Sequence, residues 1–249
     1  MLFSFFPPEA DLPLVNIFNF SLVLFDIITI FPKILDSYFA EAQIGRAAGK
    51  GKIKIKIHDL RSYAEDRHRT TDDIPYGGGA GMVMKVKPIW KNVSAILKKS
   101  PRKREDIRII LLSAKGKIYN QEKASRLAKR YKQIILICGR YEGVDERVVK
   151  HIADEEMSIG PYVISGGELG AAIIVDSVTR LIPGVVGNKA SLKEESYIAG
   201  QIEYPQYTRP ESFRGFRVPK TLLSGNHKKI ERWRKESMKK EKRETREGG

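Results

Sequence analysis

Cys138 is the only thiol in this 249-residue chain. A single cysteine excludes an intrachain disulfide framework and any cysteine-rich zinc site, and it fits a reducing compartment. Histidine is scarce as well. His58, His68, His151 and His227 stand far apart without ligand spacing, so no structural metal site is expected. Acidic residues are outnumbered, 30 against 45 Lys and Arg, which leaves a formal charge of +15. A surplus of that sign suits a polyanionic partner, most often nucleic acid; a thermostable Lys/Glu surface is the plainer source of such a charge. Long apolar runs are also missing. The uncharged stretch from Leu12 to Phe25 is too short to span a bilayer and is broken by Pro13, Asn16 and Asn19. No Lys or Arg precedes Lys33, so the basic flank of a secretory signal is absent. Residues 1–24 are read as an N-terminal extension, and the protein is expected in the cytoplasm with no membrane partner.

What is present is enough to bury a real core: 41% of residues are hydrophobic. The β-branched and aromatic run from Leu22 to Ile30 predicts a buried strand, and Pro32 is placed to open a helix reaching about Glu41. Lys52 to His58 alternates strictly and predicts a half-exposed strand. Asp59 to Gly81 is polar, then glycine-rich, and too long for a tight turn, so a mobile functional loop is expected. Beyond it, an amphipathic helix is expected over Pro88–Lys98, a charged link over Ser100–Glu105 and a buried strand over Ile107–Ser113. A helix over Gln121–Lys129 and a buried strand over Gln133–Cys138 follow. This alternation predicts an α/β fold with a mostly parallel sheet and helices on both faces.

The most informative stretch runs from Ser158 to Gly187. Gly160, Pro161, Ser165, Gly166 and Gly167 make a tightly bending loop, and Ala171, Ile174, Val178 and Leu181 then recur at helical spacing until Pro183 and Gly184 stop them. The glycines do not fit the common nucleotide templates. Gly77 to Gly81 lacks the Gly-Lys-Ser/Thr ending of a P-loop, and Met82 stands where GxGxxG needs its third glycine. Val163, two residues before Ser165, rules out a GxSxG elbow. Three strand-end loops remain, Leu112–Gly116, Cys138–Gly143 and Ile159–Gly167, whose backbone groups could hold an adenosine-like ligand.

The C-terminal end is different in kind. From Arg214 to Gly249 there are 13 Lys and Arg against 5 Asp and Glu. A basic helix is expected over Lys228–Lys240 around Trp233, either as a solvated face or as a phosphate-contacting one. Charge alone would also allow a basic RNA-binding or ribosome-associated protein without catalysis, or a nucleotide-binding enzyme of another kind.

Seven blocks, in order, resemble the bacterial tRNA (guanine-N1)-methyltransferases of the SPOUT class: Phe25–Pro32, Asp66–Met82, Ile137–Arg147, Ser158–Leu169, Ile182–Gly187, Tyr204–Pro210 and Leu223–Arg234. The resemblance implies a homodimer with a C-terminal trefoil knot in its sheet domain, S-adenosylmethionine as cofactor, and magnesium as a possible aid. It implies methyl transfer to the guanine just 3′ of the anticodon in tRNA. It also implies a methyltransferase domain over residues 25–187, a linker over 188–209, and a shortened basic helical RNA-binding segment over 210–249.

Residue by residue, the family pattern implies cofactor contacts at Ser113, Gly139, Tyr141, Glu142, Ile159, Tyr162, Ile164, Gly166 and Gly167. Without it, the glycines would be read as ordinary turn residues. The family's arginine for the guanine oxygen matches Arg180, otherwise a candidate helix partner for Asp176; its proton-accepting aspartate matches Glu195, with Glu194 and Asp176 as alternative bases. Asp72, Pro75 and Tyr76 match positions near the target nucleotide, and the basic cluster that includes Arg232, Arg234 and Lys235 is expected to bind phosphate without reading sequence. The sequence departs from the pattern at Ile74, Ala80 and Ala114, where the family commonly has arginine, proline and proline, and at Glu195.

Overall fold

All seven residues from Val23 to Thr29 are buried, as a strand flanked on both sides in a covered parallel sheet requires. The computed structural model describes residues 22–187, 196–197 and 201–240. In chain order the main elements are β1 (Val23–Thr29), α1 (Asp36–Ala40), α2 (Ala42–Gly49), β2 (Ile53–Asp59), β3 (Asp72–Asp73), β4 (Val83–Met84) and α3 (Val86–Lys99). They continue with β5 (Ile107–Ile118), α4 (Gln121–Arg130), β6 (Gln133–Cys138), β7 (Gly143–Val144), α5 (Glu146–His151), β8 (Glu155–Ser158) and α6 (Glu168–Leu181). Five strands form one sheet in the order β2-β1-β6-β5-β8, every neighbouring pair parallel.

Strand alternation divides the core in two. Phe25 and Ile27 point to the face covered by α1, α2, α4 and α6, where Ile44, Leu127, Ile174 and Val178 meet them. Ile28, with Ile109 and Ile135, points to the other face, under Ile89 and Val93 of α3 and Val148 of α5. Each such fully buried side chain stabilises the fold by about 1.5–3 kcal/mol. Between the layers, the buried Asp26 carboxylate accepts from Gln133 Nε2 at 2.7 Å and lies 2.7 Å from His58 Nε2. A polar group that deep in the sheet is tolerated because both oxygens have partners.

Several expectations need correction. Pro32 does not open the helix: the chain turns first, Ile34 N donating to Phe31 O at 3.1 Å, and α1 begins at Asp36. A second helix, α2, follows after Ala42 takes a φ of 49°. The strand expected to end at Ser113 runs on to Ile118, so Leu112–Gly116 is an irregularity inside β5 rather than a terminal loop. Leu112 and Lys117 both pair with Met157, and the residues between them are the excess. A Cβ on Gly116 would lie 2.5 Å from Met157 backbone, which is why this return to β8 needs glycine. Polar β8 gave no strand signal; its Glu155 is held by Arg108 Nε at 2.9 Å and Arg126 Nη2 at 3.3 Å. The Asp59–Gly81 segment contains a short 3-10 turn that buries Leu60, and β3 pairs antiparallel with β4.

After α6 come β9 (Gln201–Ile202), β10 (Ser212–Phe213), β11 (Phe216–Arg217), α7 (Lys220–Leu223), α8 (His227–Ser237) and β12 (Lys239–Lys240). The basic helix ends at Ser237 instead of Lys240, because β12 pairs with β9. Asn226 caps α8 by accepting from Lys229 N at 3.1 Å. Trp233 packs edge-on against Tyr204 at 6.5 Å and lies 6.3 Å from Tyr207, a small aromatic centre for this basic unit.

Candidate active site

The C-terminal ends of β5, β6 and β8 are neighbours in the sheet, so the segments leaving them converge on one edge. Their contact is close. Gly167 N donates to Gly139 O at 2.8 Å, and Arg140 and Gly166 form a β-bridge. A Cβ on Gly139 would stand 2.7 Å from Leu112 O, and one on Gly167 would stand 2.8 Å from Cys138 Cα. These two glycines are demanded first by backbone packing.

The packed segments enclose a cleft of about 170 Å³ whose lining includes Ser113, Gly139, Tyr141, Glu142, Ile159, Tyr162, Ile164, Gly166 and Gly167. All nine cofactor candidates therefore meet in one place, drawn from three stretches of chain far apart in sequence. Leu111, Leu112 and Val163 add apolar surface, and Ser165 adds a hydroxyl. The lining joins main chain and apolar side chains to the charged Lys115, Arg140, Glu142, Glu146 and Glu156, and has the character of a small-molecule cleft that could take an adenosine-like ligand.

One feature of the rim escaped the sequence reading. Glu168, at the first turn of α6, is only 1% exposed. Its carboxylate accepts from Thr29 Oγ1 at 2.7 Å and from Arg140 Nε and Nη2 at 3.0 Å each. Arg140 also lies over the Phe31 ring, 4.6 Å from its centroid. The ion pair thus ties the end of β1, the loop after β6 and the start of α6 together behind the cleft. Its signal was a carboxylate opening an otherwise apolar helix and an arginine inside a glycine loop, since charges in such places need partners.

Asp72 reaches this rim. Burial first, then the Asp72 carboxylate beside it, pushes the Tyr141 phenol above its usual range. The segment around Gly81 rests on the loop after β6, with Glu142 N donating to Met82 O at 3.1 Å. Gly81 leaves the space that the Glu142 side chain fills, since a Cβ there would stand 2.4 Å from Glu142 Cγ. Pro75 and Tyr76 are farther out and line no part of the cleft; Tyr76 is fully exposed.

Arg180 lies in the last turn of α6, outside the cleft lining. Asp176, one turn earlier, accepts from Tyr38 Oη at 2.5 Å, and this contact raises the tyrosine's pKa. Glu195 and Glu194 fall outside the described residues. The basic candidates sit on α8 and do not line the cleft: Arg232 is exposed, Arg234 lies 5.0 Å over the Tyr204 ring, and Lys235 pairs with Glu231 at 2.8 Å. Among the described residues no three His, Cys, Asp or Glu side chains gather to hold a metal.

A family model described as tRNA (Guanine-1)-methyltransferase TrmD matches residues 23–248. The chain belongs to this family. A relative from Dictyoglomus turgidum, called tRNA (guanine-N(1)-)-methyltransferase, is 53% identical over 216 residues, 86% of this chain and 85% of its own. One of the same description from Geobacillus kaustophilus is 50% identical over 214 residues, 86% of each chain. Among solved structures, a tRNA (m1G37) methyltransferase from Aquifex aeolicus matches with a TM-score of 0.71 and 38% identity, over 85% of this chain and 87% of that one.

Proposed function

We propose that this protein transfers a methyl group from S-adenosylmethionine to N1 of the guanine immediately 3′ of the anticodon in tRNA. The observation that carries the reading is the convergence of the nine implied cofactor positions on one cleft in a chain of this family. S-adenosylmethionine supplies an electrophilic sulfonium methyl; the protein's part is to hold, orient and manage protons.

Ser113, the Gly139–Glu142 segment and the Ile159–Gly167 segment would hold the cofactor, largely through backbone groups. We propose that these segments are threaded as the trefoil knot of the SPOUT class. Arg180 would hold guanine O6 as negative charge builds there, and Glu195 would accept the N1 proton. A glutamate keeps the basicity of the family's aspartate on an arm one methylene longer. Asp176 is the weaker alternative base, because its carboxylate already accepts from Tyr38. Asp72, Pro75 and Tyr76 would face the target nucleotide, and Arg232, Arg234 and Lys235 would meet phosphates. Domain limits of 25–187, 188–209 and 210–249 go with these roles.

The protein would work as a homodimer in the cytoplasm, with Glu195 of the partner subunit completing the site. Support comes from Leu169 and Ile173, four residues apart on α6, and from Phe31, Ile34 and Tyr38, all large and exposed. Among the described residues no helix is long and apolar enough to cross a membrane. Magnesium, where used, would depend on substrate phosphates and water for most of its ligands.

Titrating the purified protein with S-adenosylmethionine and NAD tests the cofactor assignment. Binding of the first alone is expected; binding of neither, or of NAD alone, refutes it. Glu195→Gln should abolish nearly all turnover while cofactor affinity is retained. An active variant would assign the proton to another base.

A further inference from the structure

The turn between β10 and β11 displays two aromatic rings where a folding argument would hide them. Phe213 is 60% and Phe216 79% exposed. They are directly opposite each other in the antiparallel register, so both side chains leave the same face of the hairpin. The connection is two residues long, Arg214 at φ 50° and Gly215 at φ 86°, the sign pattern of a type I′ turn that fixes this register tightly. Arg214 lies with its guanidinium 5.5 Å from the Phe213 ring centroid, and Arg217 follows Phe216.

We infer that this hairpin is a stacking platform for an unpaired base of the bound RNA. The inference rests on the proposed tRNA substrate and adds a contact the cleft does not provide. Two rings with flanking guanidinium groups match the chemistry that grips single-stranded nucleic acid, a π-face for the base and cations for the backbone beside it. Charge complementarity selects this occupant over an apolar protein partner: residues 201–240 carry 11 Lys and Arg against 4 Asp and Glu. The Tyr204–Trp233 packing holds a separate aromatic centre in the same unit, so these two phenylalanines are surplus to it.

The test is equilibrium binding of a tRNA transcript to the full-length protein over a salt series. Phe213→Leu with Phe216→Leu keeps the apolar bulk and removes the π-faces. Affinity should fall about ten- to a hundred-fold. The slope of log affinity against log salt should stay as in the wild type, because no cation is lost. Phe213→Tyr with Phe216→Tyr should restore binding, and an unchanged Trp233 fluorescence spectrum shows that the C-terminal unit of the leucine variant is folded. Wild-type affinity in the leucine variant would overturn the inference, as would a loss that comes with a reduced salt slope. So would a drop in oligomeric mass, since the rings would then face a second copy of the chain. A wild-type protein with no tRNA affinity would instead sink the proposed function itself.

Discussion

The cleft and the C-terminal basic unit solve opposite problems. In the cleft, backbone segments approach so closely that Gly139 and Gly167 have no space for a methyl group, and the Arg140–Glu168 ion pair is turned inward with its carboxylate buried. In the basic unit the strands are two residues long, the charges face water, and only a small Tyr204–Trp233–Tyr207 cluster is packed. On the proposed function, the first surface holds a small cofactor and the second attracts a polyanion without reading it. Perturbing each should therefore give a different kind of failure.

The largest effect is expected from Glu168→Ala. It leaves the Arg140 guanidinium without its carboxylate and Thr29 without its acceptor, which costs about 3–5 kcal/mol. A melting temperature lower by roughly 10 °C should result in a thermal scan. A change of a degree or two would mean that the pair is not what ties the cleft together.

Salt should act on the other region. If about four phosphates are neutralised, tRNA affinity should weaken roughly a hundred-fold between about 50 and 200 mM salt, while S-adenosylmethionine affinity barely changes. Equilibrium binding at each salt concentration measures both. A salt-independent tRNA affinity would erase the contrast between the regions.

Gly167→Ala comes next. Its Cβ would be forced against Cys138 Cα and Gly139 N, at 2.8 and 3.0 Å, both backbone atoms that cannot swing aside. A loss of about 1–3 kcal/mol in stability is expected, with weaker cofactor binding by calorimetry. Gly187→Ala, which meets nothing within 4 Å, serves as the neutral control.

The smallest effect concerns acid. The hydrogen bond from Lys132 holds the Asp106 carboxyl below its ordinary 3.8, so its contribution to stability is present above that value and fades as the pH falls through the lowered one. Comparing Asp106→Asn with wild type in denaturant melts at neutral and acid pH should show a difference only at the former.

Much of the sheet was legible because β1, β6 and the first half of β5 are apolar runs separated by periodic helices: Ile107–Ser113 and Gln133–Cys138 need no context to be read as buried. The polar strand β8 was not legible. Strand β8, EEMS, holds its place through Arg108 and Arg126, partners more than 25 residues away in sequence. The glycine segments announced a close approach of backbone but not to what; only the sheet order brings Leu112, Gly139 and Gly167 together. The Arg140–Glu168 pair left a signal, a charge in an apolar helix and another in a glycine loop, but nothing in the sequence says that each is the other's partner. Arg180 was placed by resemblance to a known family rather than by its spacing, and Glu195, assigned in the same way, lies outside the described residues.

The most direct test of the account is methyl transfer to two tRNAs that differ only in the base 3′ of the anticodon, guanine in one and adenine in the other, with the product base identified. N1-methylguanine is expected from the first and no product from the second. Transfer to both, or to neither, would contradict it.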